Sequence, residues 1–238
     1  MNIIILGYGK MGKAIEEIAL DRGHTISHKI NINNINALKF IEPDEVDVAI
    51  EFSQPDSAVD NLKYCLDNGI PVVCGTTGWL DQKEEINALC LEKNGSFFYS
   101  SNFSLGVNLF FNLNKKLASL MKSYPDYKTE ITEIHHTEKL DSPSGTAITL
   151  AEGIMEENDK FASWKNKKEI KENELPIISL REEKVPGTHI VKYTSEIDDI
   201  EIKHTAHSRA GFAQGAVIVA EWLIDKKGIF GMNDFLGF

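Results

Sequence analysis

One stretch of this chain concentrates reactive side chains: Glu133-Ile134-His135-His136-Thr137-Glu138-Lys139-Leu140-Asp141-Ser142-Pro143-Ser144-Gly145-Thr146-Ala147. Two imidazoles and an ammonium so close in sequence can exchange protons near neutral pH. The Pro-Ser-Gly-Thr that follows leads into a helical pattern. Ser144 can cap that helix, leaving Gly145 and Thr146 to offer unpaired N–H groups and a hydroxyl. Beside the charge of Lys139, this is a cradle for a carboxylate. Side chains alternate along a strand, so His135 and His136 can face one ligand only if the strand ends or bends there.

A second motif is Gly7-Tyr8-Gly9-Lys10-Met11-Gly12, a G-x-G-x-x-G directly after an apolar run and at the opening of a helical pattern. In that setting Gly7 permits the tight turn, Gly9 the approach of a pyrophosphate and Gly12 close packing of helix on strand. The helix N-terminus turns free N–H groups and a positive dipole end toward the phosphates. The carboxylate that usually grips the adenosine ribose, at the end of the second strand, is missing from Thr25–Ile32. Nothing there repels a 2′-phosphate and Lys29 could attract one, so both NADPH and NADH stay open. Gly75-Thr76-Thr77-Gly78 and Ser100-Ser101-Asn102-Phe103-Ser104 each follow a predicted strand. Strand carboxyl ends line the ligand crevice of an open parallel sheet, which places both segments at a cofactor site.

The elements that must position these groups fall into two styles. Up to about residue 104, the short apolar runs Ile3–Leu6, Val46–Phe52, Pro71–Cys74 and Phe97–Tyr99 alternate with helical patterns. That is an α/β Rossmann domain with a parallel sheet. Beyond it come a helix over 107–121, a strand over 127–136, a helix from Ala147, and strands at 177–181, 188–195 and 200–204. The turn signals Pro186-Gly187 and Glu196–Asp199 predict an antiparallel meander. A last helix is expected to run to about Gly228 and to return, as 213–238, to the domain of 1–104. Residues 105–212 would form an α+β domain for substrate and oligomer contacts, with a mixed, largely antiparallel sheet. The polar span 158–174 reads as a solvated helix or excursion.

The chain has 238 residues and a formal charge of −11, which opposes non-specific nucleic-acid binding. Three scattered cysteines suggest neither a disulfide framework nor a zinc knuckle. No apolar run approaches the ~20 residues of a membrane span, and the start reads as a buried strand instead of a signal peptide. A cytoplasmic protein is expected. An acidic protein that binds an anion must gather its cations locally, which draws attention to Lys139 and to a second basic group, Lys203, His204, His207 and Arg209, of undecided role.

The signature H-H-x-x-K-x-D-x-P-S-G-T-A, with G-x-G-x-M-G, Gly-Thr-Thr-Gly, Ser-Asn-Phe-Ser-Leu-Gly-Val-Asn and Phe212–Val217, resembles the 4-hydroxy-tetrahydrodipicolinate (dihydrodipicolinate) reductases of bacterial lysine biosynthesis. The similarity runs through the whole chain in order. It implies NAD(P)H-dependent reduction of a cyclic imine-type dicarboxylate to tetrahydrodipicolinate, with no metal, and a homotetramer joined through the second domain's sheet. It assigns acid/base work to His135 and proton donation to Lys139. Substrate binding falls to His136, Ser144, Gly145 and Thr146. The cofactor site takes Gly7–Gly12, Gly75–Thr77 and Ser100–Phe103. The chain departs from the family pattern at the missing ribose acid, in a short region between the second and third strands, and at Gln214, where a basic residue is common. Other readings are another amino-acid or imine dehydrogenase on this scaffold, a metal hydrolase using His135, His136 and Glu138, and a dinucleotide-sensing regulator.

Overall fold

The computed structural model describes residues 1–208 and 210–238. The chain divides into one unit of Met1–Leu105 with Ala210–Phe238 and another from Gly106 onward to residue 209.

In the first unit, β1 (Asn2–Leu6) is an uninterrupted apolar run because both of its faces are covered. Ile3 and Ile5 face one core, and Ile4 and Leu6 the other. Helix α1 (Lys10–Asp21) lies on the Ile3 side, burying Gly12, Ile15 and Ala19. The chain continues through β2 (Thr25–Ile30), β3 (Val48–Glu51), α2 (Pro55–Asp67), β4 (Val72–Cys74), α3 (Lys83–Glu92) and β5 (Ser96–Tyr99). The parallel sheet has the order β2-β1-β3-β4-β5, with one more strand beyond β5. The order reverses between β1 and β3, and the carboxyl ends around that switch point form the crevice where such sheets bind ligands.

The second unit holds α4 (Leu105–Met121) from its second residue on, then β6 (Lys128–His135), α5 (Gly145–Glu157), β7 (Ser163–Lys165), β8 (Glu174–Arg181), β9 (Gly187–Thr194) and β10 (Asp199–Ala206). The sheet order is β10-β9-β6-β8-β7. Its inward positions Ile131, Ile177, Val191 and Tyr193 pack with Phe110, Leu150 and Ile154 of α4 and α5. The expected three-strand meander is interrupted: β9 pairs antiparallel with β10 and β6, while β6 separates it from β8 and pairs parallel with β8. The expected solvated excursion contains β7, which adds a short parallel edge beside β8.

Helix α6 (Ala210–Leu223) belongs to the first unit, and its small buried residues Ala213, Gly215, Ala216 and Ala220 let it lie close on the sheet. It stops before the expected Gly228. Gly228 has φ +126°, closed to a helix, and instead opens β11 (Gly228–Phe230), which pairs parallel with β5 as the sixth strand. A short α7 (Met232–Leu236) follows. Among the described residues, no helix is long and apolar enough to cross a membrane.

Candidate active site

In the first unit a cavity of about 620 Å³ opens at the carboxyl ends of β1, β2 and β3, lined among others by Gly7, Tyr8, Gly9, Asn31 and Ser53. Gly7 has φ +97°, and a Cβ there would fall 2.1 Å from the Phe52 carbonyl oxygen. A Cβ on Gly12 would lie 2.6 Å from the Gly7 carbonyl oxygen, whereas one on Gly9 would meet nothing within 4 Å. Open space over Gly9 and the uncapped start of α1 fit a dinucleotide pyrophosphate. Lys10 is exposed and Met11 half-buried at that helix start. A smaller hollow of about 270 Å³ is lined by Met11, Gly75, Thr76 and Thr77 together with Phe52–Pro55. Ser53 N–H donates to Thr76 Oγ1 at 2.8 Å, fixing one loop against the other. When bound, a nicotinamide dinucleotide supplies hydride to such a site.

Two further findings shape this crevice. Lys29, read as free to meet a 2′-phosphate, is ion-paired with Glu16 of α1, which also accepts a hydrogen bond from Tyr8. The charge missing from the end of β2 thus arrives from the helix. Second, Glu51 is fully buried and accepts from Ser53, from Asn61 Nδ2 at 3.4 Å and from Cys74 Sγ at 3.2 Å. After β5, Ser100 Oγ donates to the Asn102 carbonyl at 2.7 Å, and Ser101 is exposed. Phe103 is 1% exposed and packs on Phe52 and Phe98, so its ring backs the wall of the site.

In the second unit, β6 ends at His135, which is buried, while His136 is half-buried just beyond. The end of the strand supplies the break that the two imidazoles require. Ser144 caps α5, its Oγ accepting from Ala147 N–H at 3.2 Å. Gly145 is exposed, with open space where a side chain would stand, and Thr146 is half-buried. Lys139 Nζ donates to both Asp141 carboxylate oxygens at 2.8 Å. Arg181, opposite His135 on β8, donates to the Asp141 carbonyl at 2.8 Å. Asp141 therefore gathers two cations beside the start of α5.

Beneath this surface is Glu133, which is fully buried. Its oxygens accept from Ser144 N–H at 3.1 and 3.0 Å and from Ser179 Oγ at 2.7 Å. Burial alone would raise its pKa; the Ser144 and Ser179 hydrogen bonds and nearby His135 outweigh that and hold it below the ordinary value. His189 of β9 hydrogen-bonds Ser144 Oγ at 3.1 Å and meets the His135 ring edge-on at 5.0 Å between centroids. Burial lowers the pKa of His135, against the pull of Glu133. Burial also lowers that of His189, to about 4. Both rings are therefore neutral at neutral pH, beside an ionised carboxylate.

Sequence reasoning gave no role to Glu133, Arg181, His189, Glu16 or Phe52–Pro55. An acid at an inward strand position was a signal for Glu133, and a segment following a strand was one for Phe52–Pro55. The set His135, His136 and Glu138 does not converge: His135 is buried with Glu133 and His189, whereas Glu138 is exposed. The second basic group also divides. His204 faces inward against Phe110, its ring 5.9 Å away, Lys203 takes the opposite face of β10, and Arg209 lies outside the described residues.

A Rossmann unit with a dinucleotide crevice, joined to an α+β unit bearing a His/Lys cradle, defines a nicotinamide-dependent oxidoreductase. Models of the N-terminus and the C-terminus of dihydrodipicolinate reductase match residues 1–103 and 106–236. A 4-hydroxy-tetrahydrodipicolinate reductase of Christiangramia forsetii is 54% identical over 238 residues, 99% of this chain and 98% of that one. Another, from Methanoregula boonei, is 36% identical over 194 residues, 80% of this chain and 75% of its own. Dipicolinate-bound dihydrodipicolinate reductase from Paenisporosarcina sp. TG-14 shares the fold, with TM-score 0.75 and 23% identity over 97% of both chains. The chain belongs to the dihydrodipicolinate reductase family.

Proposed function

We propose that this chain reduces 4-hydroxy-tetrahydrodipicolinate to tetrahydrodipicolinate with NADPH or NADH, in the diaminopimelate route to lysine. The observation that carries this reading is the cradle itself: the exposed start of α5 at Gly145 beside two cations gathered on Asp141. In the proposed site His136, Gly145 and Thr146 hold a carboxylate of the substrate, while Ser144, expected to bind it too, is buried and engaged by Glu133, Ala147 and His189 and caps the helix that presents them. Lys139 is the proton donor and His135 the acid/base group. Hydride addition leaves negative charge on the substrate, and a positioned ammonium or imidazolium quenches it by protonation. The test follows NADPH and NADH oxidation with enzymatically generated substrate, for wild type, His135→Ala and Lys139→Ala. Full activity in either variant removes that residue from the mechanism.

The proposed setting is the cytoplasm, in keeping with free, buried Cys65, Cys74 and Cys90. The proposed assembly is a homotetramer joined through the second sheet. Its face turned away from α4 and α5 carries Ile178, Leu180, Ile134 and Ile190, linked in register through Thr132. Glu130 and Lys192 lie opposite each other in register on the same face, with Lys192 ion-paired to Asp199. Sedimentation equilibrium should give four times the 26.6 kDa chain mass, and Leu180→Glu should lower it.

A further inference from the structure

The chemistry assigned to His135 leaves a question that the family signature does not answer, namely which ring nitrogen handles the proton. An ionised carboxylate can only accept hydrogen bonds. Glu133 receives Ser144 N–H and Ser179 Oγ–H, and His135 Nδ1 lies 3.4 Å from its Oε2. Nδ1 is buried and, among the described residues, Glu133 is its polar neighbour and no group completes a hydrogen bond to it. Catalytic hydrogen bonds are often long without substrate and tighten in the complex. The opposite edge of the ring, Nε2 and Cδ2, faces Gly187, where even a Cβ would stand 3.2 Å from Nε2.

We propose that Glu133 is a positioning residue, keeping the proton of neutral His135 on Nδ1 while anchoring Ser144, so that Nε2 and the substrate cradle stay in one fixed arrangement. The carboxylate is fully buried beneath the cradle. It acts through His135 on one side and through the backbone of the α5 cap on the other, much as outer-shell carboxylates orient metal-bound or catalytic imidazoles. The proposal rests on the acid/base role given to His135 above. Facing that ring are Glu133 on β6, Lys139 and Asp141 on the following loop, Arg181 on β8 and His189 on β9. Lys139 and Arg181 oppose its protonation, and Glu133 favours it more than the remoter Asp141. Removing the Glu133 charge therefore makes the imidazolium harder to form.

Two measurements test this. In Glu133→Gln, which preserves shape, kcat should fall on the order of 10- to 100-fold. The His135-dependent limb of the kcat/KM–pH profile should move to lower pH by roughly one unit. Glu133→Asp, which keeps the charge, should restore the limb. NADH affinity by fluorescence reports the first unit and should not change. A folded Glu133→Gln enzyme with wild-type kcat and pH profile overturns the proposal. The second measurement needs no variant to fold: ¹⁵N shifts of His135 in the wild-type protein should show the Nδ1-protonated tautomer, and the Nε2-protonated form refutes the assignment. His135→Ala separates the two ideas. Full activity there removes the acid/base role, whereas impaired activity with an unshifted Glu133→Gln profile removes only the positioning role.

Discussion

His189 should make the protein acid-sensitive in a way that a single substitution isolates. The ring is 5% exposed, crowded by the His135 ring, and its nearest carboxylate oxygen, on Glu133, is 3.8 Å away. Burial, with His135 adding to it, lowers its pKa to about 4, against about 6.5 for histidine in an unfolded chain. The folded value is the lower one, so the unfolded chain binds the proton first as pH falls. Above 6.5 both states are neutral and His189 contributes no pH dependence. Between 6.5 and 4 stability drains away, and below 4 the loss is complete at about 3 kcal/mol. By pH 5 it is about 2 kcal/mol. Urea titrations of wild type and His189→Gln at pH 7.5 and pH 5 should show the difference between the two proteins shift by that amount, in favour of the variant at pH 5. Acid effects common to both proteins, such as carboxylate protonation, cancel. A difference that does not change with pH refutes the reasoning, because His189 would then titrate alike in both states.

Three further outcomes follow from the geometry. Gly187 is outside the left-handed region, so Gly187→Ala is open to the backbone, but its Cβ would stand 3.2 Å from His135 Nε2; kcat should fall roughly tenfold in a steady-state assay while circular dichroism stays native. Glu16→Gln frees Lys29 from its ion pair, so the ratio of kcat/KM for NADPH over NADH should rise severalfold, and less so at high salt. A bound dianion favours the imidazolium, so binding of a dicarboxylate analogue near pH 7 should take up protons, seen as a dependence of calorimetric heat on buffer ionisation enthalpy, and His135→Ala should reduce that uptake.

The parts of the molecule legible in the sequence are those governed by local rules. The buried run Ile3–Leu6, the glycine turn and the Ser144 cap depend on residues a few positions apart, and they can be read directly. The strand pairing is different. Nothing local says that β6 lies between β8 and β9, and that insertion is what brings Arg181 and His189 to His135 and Glu133. Gly187 reads as a turn beside Pro186, yet it opens β9, and its missing side chain leaves room for the His135 ring. Lys29 reads as a free cation because its partner, Glu16, belongs to helix α1 and not to β2.

The same long-range pairings answer the charge problem of an acidic protein with an anionic substrate. Lys139 and Arg181 supply two positive charges, but Asp141 and Glu133 stand beside them, so these four groups sum to no net charge. Burial is the main cause that keeps His135 uncharged, and the pull of Glu133 and Asp141, opposed by Lys139 and Arg181, does not reverse it. In the proposed site, a dicarboxylate entering the cradle changes that balance by two charges, next to a ring whose protonation burial suppresses. The attraction is therefore local and arises on binding, and the bulk charge of −11 need not oppose it. In the proposed mechanism, the substrate that needs a proton also creates the conditions for the acid to hold one. Glu133 decides on which nitrogen the exchange takes place.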